Sequence, residues 1–253
     1  MARPKKAGTS TAMPGASSPL TGQIEKTRSR AKSYVLDLRV KSPASRGYLG
    51  IDGLDSAPAI VRLAKVKGLD VIAITDLFSA DFVDRMVNAA KDSPLTVIPG
   101  VSIRCKVGTC DDVVMACLFD EATNSESINA FLAALGVPQD PALRLSHRVT
   151  KPLAELLAIL DRFGGVAIPS RMDKTPNQKS VIPELVESYG FRAFDLAYMD
   201  SADYFKKTWP KVQFQLFTFS DANALAQIGS RTARVKLTAP GFQGIREIVA
   251  RQP

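Results

Sequence analysis

The chain of 253 residues contains one histidine, His147, and three cysteines, Cys105, Cys110 and Cys117. So few imidazoles remove the usual means of building a catalytic zinc centre or a histidine-activated nucleophile. The cysteines are odd in number and form no C-x-x-C pair. That argues against a disulfide framework and for reduced thiols in a cytoplasmic protein, with Cys105 and Cys117 packed as small apolar residues. No apolar run approaches the ~18 residues of a membrane span. No apolar segment follows the first charges, which argues against a secretory signal. The phosphate-cradling G-x-x-x-x-G-K-[ST] loop and the dinucleotide G-x-G-x-x-G turn are both missing.

Acidic residues are scarce in one stretch. Residues 1–32 carry Arg3, Lys5, Lys6, Lys26, Arg28, Arg30 and Lys32 against Glu25 alone, so this segment holds six of the eight net positive charges. It is rich in Ser, Thr, Ala, Gly and Pro and has no sustained hydrophobic period. The expectation is a disordered basic arm ahead of a folded unit at 33–253. Such an arm is either a solubilising tail or a contact for an acidic partner, protein or nucleic acid, through Lys5, Lys6, Lys26, Arg28, Arg30 and Lys32.

From Ser33 the chain alternates between strand-like and helix-like segments. "SYVLDLRV" reads as a strand. "APAIVRLAKVKG" follows with Ile60, Leu63 and Ala64 at helical spacing, Ser56 as N-cap and Gly68 as stop. "LDVIAIT" is a continuous apolar run, as in a strand buried on both faces. "SADFVDRMVNAAK" is helical, "LTVIPGVSIRC" and "DDVVMACLF" are strands, and "KPLAELLAILDRFGG" is the clearest helix. "VAI", "RAFDLAY", "VQFQLFTF" and "TARVKL" continue as strands. Between and after them, "IPELVESYG", "SADYFKKTW", "DANALAQIG" and "FQGIREIVAR" read as helices. Alternation of this kind predicts a mostly parallel sheet, and about seven repeats are enough to close a barrel.

Barrel chemistry sits at the C-terminal ends of the strands. Reading those ends in order gives Arg39 and Lys41, then Asp76 and Leu77, Ser102, Val114, Arg171, and Asp221 with Asn223. Six segments in this order resemble one family. "DLRVKS" resembles D-L-H-x-H-S, "GLDVIAITDLF" resembles G-[LI]-D-x-[IL]-A-[IL]-T-D-H-[ND], and "VIPGVSI" resembles V-[IL]-P-G-x-E-[IV]. "CDDVVMACLF", "GGVAIPSRMDK" and "TFSDANALAQIG" resemble the three later motifs. The family is PHP, the polymerase and histidinol phosphatase domains, and the resemblance covers about residues 33–250. It implies a distorted (β/α)7 TIM-like barrel in the α/β class, with a phosphoesterase site of two or three metal ions.

The same resemblance implies that the ligands are gone. Arg39 and Lys41 stand where the first motif has histidines, and Arg46 where an acid is expected. Leu77, Val114, Arg171 and Asn223 replace further histidines, and Ser102 replaces the bridging glutamate. Asp221 keeps a ligand position, while Asp37 and Asp76 are motif carboxylates near the site. A hydrolytic centre needs several neutral imidazoles or carboxylates converging on each ion, so no metal and no other cofactor is expected.

Arg39, Lys41, Arg46 and Arg171 would then supply fixed cations close to the lost ions. One reading has them pair with Asp37, Asp76 and Asp221 and hold the barrel together. The other has the cations exceed the acids, leaving a cup of Arg39, Lys41, Arg46, Asp76, Ser102, Arg171, Asp221 and Asn223 that binds phosphate or another anion without hydrolysing it. The expectation is an inactive binding or scaffold subunit. The alternatives are a phosphoesterase with a reduced carboxylate site and a nucleic-acid-associated accessory subunit.

Overall fold

The computed structural model describes residues 1, 2, 4 and 31–252. Most of the expected basic arm, residues 3 and 5–30, therefore lies outside the described residues. Lys32, the last position of that expected arm, is the first residue of a strand.

Eight strands follow one another: β1 Lys32–Val40, β2 Val71–Ile74, β3 Thr96–Val107, β4 Cys110–Leu118, β5 Val166–Ser170, β6 Ala193–Asp195, β7 Gln215–Phe217 and β8 Ala233–Leu237. They form one sheet in the order β7-β6-β5-β4-β3-β2-β1-β8. The helices are α1 Ser56–Val66, α2 Val83–Ala89, α3 Ser125–Ala134, α4 Pro141–Arg144, α5 Leu153–Arg162, α6 Pro176–Ser180, α7 Ile182–Glu187, α8 Ala202–Thr208 and α9 Phe242–Val249. This is the TIM-like barrel expected from the sequence. Its distortion is specific: β4 runs antiparallel to both β3 and β5, and β8 runs antiparallel to β1.

β1 is the seam of the barrel. Its first half pairs with β8, Ser33 opposite Lys236 and Val35 opposite Arg234. Its last residues pair with the chain that follows β7. The Lys41 N–H donates to the Ala222 carbonyl at 2.9 Å, and the Ala222 N–H donates to the Arg39 carbonyl at 3.1 Å. A buried carboxylate locks this junction. Asp37 accepts the Ser220 N–H at 3.2 Å, the Ser220 hydroxyl at 2.5 Å and the Gly229 N–H at 3.1 Å.

The barrel interior is apolar. Leu36, Leu38, Ala73, Ile98, Leu118, Ile168 and Phe217 point inward, and Phe242, Ile245 and Val249 of α9 pack against the same cluster. A larger core lies between the sheet and helices α3, α5 and α7. The three thiols belong to it and are free. Burial pushes the Cys105 thiol up to about 12, so it behaves as a small apolar group.

Local rules explain most helix ends. Asp55, not Ser56, caps α1, its carboxylate accepting the Ala57 N–H, and Gly68 follows the helix at φ +73°. α5 buries Leu153, Leu156, Leu157 and Leu160 on one stripe, as the spacing predicts. "DANALAQIG" departs from its predicted helix and makes only a 3-10 turn at Leu225–Gln227. There the backbone of residues 222–224 is committed to pairing with Val40 and Leu49, so extended pairing overrides helical propensity. Helices α3 and α6 have no counterpart among the segments that the sequence marks as helical.

Candidate functional site

The C-terminal ends of β1, β3 and β5, the start of β4 and the loop after β7 surround a cup of about 210 Å³. Arg39, Lys41, Ser102, Arg171 and Asp221 line it, as the sequence predicted. Arg104, Asp112, Lys174 and Gln178 line it as well, and the sequence reading did not single these out. Each arrives by simple periodicity. Arg104 is two residues past Ser102 on β3 and Asp112 two before Val114 on β4, so each shares a face with its neighbour.

Arg39 is at the centre. Only 6% of it is exposed. Its Nη1 lies 2.9 Å from Asp195 Oδ2 and its Nη2 lies 2.9 Å from Asp221 Oδ1. Lys41 Nζ is 3.1 Å from the same Asp221 oxygen. Asp195 is 1% exposed, at the end of β6 beneath the cup. Its other oxygen accepts the Phe219 N–H at 2.9 Å. Burial raises its pKa to about 6, and this outweighs the attraction of Arg39 and of Arg171.

The structure corrects the predicted ion pairs. Asp37 and Asp76 do not pair with the cations of the cup. Asp37 is held by the seam donors described above. Asp76 accepts the Ser42 N–H at 2.8 Å, the Ser42 hydroxyl at 2.5 Å and the Ser45 hydroxyl. Burial raises both carboxyls above their ordinary range, against the pull of these hydrogen bonds. The partner that replaces them is Asp195. It sits in "RAFDLAY", outside all six resembling segments, so no motif marked it.

Two other predicted residues leave the cup. Arg46 is exposed and lines a neighbouring cavity of about 490 Å³, together with Lys41, Leu77, Ser79, Arg144 and others. Asn223 lines neither cavity. Its N–H donates to the Gln227 side chain at 3.0 Å, and its carbonyl accepts the Leu49 N–H at 2.8 Å.

Unsatisfied polar atoms remain around the cup. Among the described residues the Ser102 hydroxyl, Arg39 Nε and Arg171 Nε are buried without a hydrogen-bond partner. Ser102 is 4% exposed. Buried donors of this kind ordinarily have partners, and here three of them border one hollow. The backbone is strained at the same place. Phe78, Arg171 and Asp221 are the described non-glycine residues with left-handed φ, at 52°, 56° and 54°, and all three lie just past strand ends around the cup.

The donor set does not fit the metal centre that the resemblance implies. A guanidinium joins the two carboxylates that could approach an ion, and among the described residues no three His, Cys, Asp or Glu side chains converge. The cup presents Arg39, Lys41, Arg104, Arg171 and Lys174 against Asp112 and Asp221, with Asp195 below.

No family model matches the sequence, and no curated protein matches it. Solved structures do match in fold. An endonuclease Q, solved with a 27-mer duplex carrying an abasic lesion, is 15% identical over 85% of this chain with a TM-score of 0.61; the chain spans 56% of that protein's length. An amidohydrolase from Chromobacterium violaceum, solved with sulfate and no metal, is 14% identical with a TM-score of 0.60, covering 85% of this chain and 97% of the other. A protein assigned as a metal-dependent phosphoesterase, from Bifidobacterium adolescentis, is 14% identical with a TM-score of 0.54, covering 84% and 94%. These likenesses show the fold, a TIM-like α/β barrel, and a fold of this kind carries many activities.

Proposed function

We propose that the chain is a non-hydrolytic barrel of the phosphoesterase type whose cup binds a phosphate-like oxyanion in place of metal ions, and that it works as a binding or scaffold subunit. The observation that carries this reading is Arg39, bridging Asp195 and Asp221 at 2.9 Å on each side. A fixed guanidinium there neutralises the carboxylates that an ion would need. Lys41 also pairs with Asp221, and Arg104 pairs with Asp112 at 2.7 Å, so the surplus charge facing the hollow is that of Arg171 and Lys174. Arginine forks match tetrahedral oxyanions well, and the unpartnered Ser102 hydroxyl adds a neutral donor. The sulfate in the Chromobacterium amidohydrolase supports the same chemistry in a barrel of this fold.

Thermal melts test the reading. Phosphate or sulfate at about a hundred times Kd stabilises a one-site protein by about 2.7 kcal/mol, which is several degrees at this size. The wild type should show that rise, and Arg171→Ala with Lys174→Ala should lose most of it. A melting temperature unmoved by tens of millimolar phosphate would reduce the basic cluster to a structural brace. Turnover of a generic phosphate ester by the purified chain would overturn the non-hydrolytic part.

A further inference from the structure

A second basic region lies away from the cup. β8 ends the sheet, so among the described residues one of its edges has no strand partner. Its apolar residues Val235 and Leu237 face the barrel side, while Arg234 and Lys236 are exposed on the outer face with Ser33 and Val35 of β1. Arg231 lies three residues earlier. Lys67 joins the same region, since a Cβ on Gly229 would sit 3.1 Å from its Cβ. Lys32 opens β1 opposite Leu237 and so takes the other face of the ladder.

Arg231, Arg234, Lys236 and Lys67 have no carboxylate within ion-pair distance among the described residues. Two acids of neighbouring elements bond elsewhere: Asp70 accepts the Val35 N–H at 2.7 Å, and Glu247 accepts the Thr238 hydroxyl. Ser33, opposite Lys236, lies eight residues before Lys41, about 26 Å along an extended strand. This region is therefore separate from the cup.

We propose that the outer face of β8 and the start of β1 form a nucleic-acid backbone site. Arg234 and Lys236 are two residues apart, about 7 Å on a strand, a step comparable with that between successive phosphates of an extended single strand. The face offers cations and a serine hydroxyl but no exposed aromatic ring among the described residues of β1 and β8. It therefore fits phosphates, with no means of reading or stacking bases. Lysines and arginines also guard edge strands against aggregation, and that role alone would require no partner.

The experiment measures anisotropy of a labelled 30-nucleotide single-stranded DNA with the full chain at a series of salt concentrations. The wild type should bind, with log K falling linearly in log salt. Arg234→Glu with Lys236→Glu, both exposed and checked for an unchanged melt, should weaken binding at least tenfold and lower the slope by about 1.4, at about 0.7 per phosphate contact on single strands. Arg171→Ala in the cup should leave the affinity within twofold. The proposal is overturned if the β8 variant binds as the wild type does, if Arg171→Ala alone removes binding, or if no binding appears at 50 mM salt. It is also overturned if polyglutamate of matched charge competes as well as the oligonucleotide, which would make the face one for acidic proteins.

Discussion

Arg39 and Asp195 are 156 residues apart in the chain and meet at 2.9 Å, with both side chains almost fully buried. The pair ties the end of β1 to the end of β6 across the barrel mouth. Removing one partner of a buried pair typically costs 3–5 kcal/mol, because the other charge stays buried alone. Arg39→Met should therefore lower the unfolding free energy, read by urea denaturation, by that amount. Arg39→Met combined with Asp195→Leu should recover much of the loss. If the double variant is no more stable than the single one, the pair is not what couples the two strands.

Restoring the family's first-motif histidines should not restore a metal centre. In Arg39→His with Lys41→His, Asp195 and Asp221 lose their cations, while Ser102, Val114, Arg171 and Asn223 still offer an ion no ligands. The variant should be less stable by roughly 1–4 kcal/mol, and elemental analysis should find no stoichiometric zinc, manganese or iron. The wild type should melt at the same temperature with and without chelator, since no metal-binding free energy is linked to folding. Two tightly held transition-metal ions in either protein would sink the non-hydrolytic reading.

The Asp37 junction gives a third expectation. Asp37→Ala leaves the Ser220 and Gly229 N–H groups without an acceptor at the seam of the barrel. Unsatisfied buried donors cost about 1–3 kcal/mol each, so a loss of about 2–4 kcal/mol is expected, read by chemical denaturation. Amide hydrogens of Lys41 and Ala222 should exchange faster in this variant than in the wild type, because their bonds close the seam. Unchanged exchange at those two amides would show that the seam holds without the carboxylate.

Most of the scaffold is legible in sequence because it follows short-range rules. The apolar run Val71–Ile74 and the leucine stripe of α5 each announce one element and one buried face. Arg39, Lys41, Ser102, Arg171 and Asp221 were legible because each sits at a strand end in a recognisable segment. Asp195 was not, because its role depends on β6 lying across the barrel from β1, a distance that no local spacing encodes. Asn223 and the Leu225–Gln227 turn were misread for a related reason. Their backbone is claimed by Val40 and Leu49, partners more than 170 residues away. Asp37 and Asp76 were assigned to cations because charge alone was counted, whereas hydroxyls and backbone N–H groups satisfy them locally.

The buried aspartates make a pH dependence with an unusual sign. Burial raises the pKa of Asp37, Asp76 and Asp195, the last to about 6, while an unfolded aspartate titrates near 3.9. Between these values the folded chain holds more protons than the unfolded chain. Stability from Asp195 is therefore fully present below about pH 4 and is lost as pH rises through about 6. Ordinary surface carboxylates and the net charge of +8 act the other way in acid, so the comparison must isolate the residue. Melting temperatures of the wild type and of Asp195→Asn, taken from pH 7.5 to 5.0 in a buffer without oxyanions, provide it. Asparagine cannot take up the proton, so the wild type should gain stability relative to the variant as pH falls through 6. The same protonation would release Arg39 from half of its anchorage and add one net positive charge beneath the cup. Phosphate stabilisation of the wild type should then be larger at pH 5.5 than at 7.5 after correction for the charge state of phosphate, and Asp195→Asn should flatten that difference. Parallel pH curves for the two proteins would mean that Arg39 keeps Asp195 ionised throughout, and that attraction rather than burial governs this carboxylate.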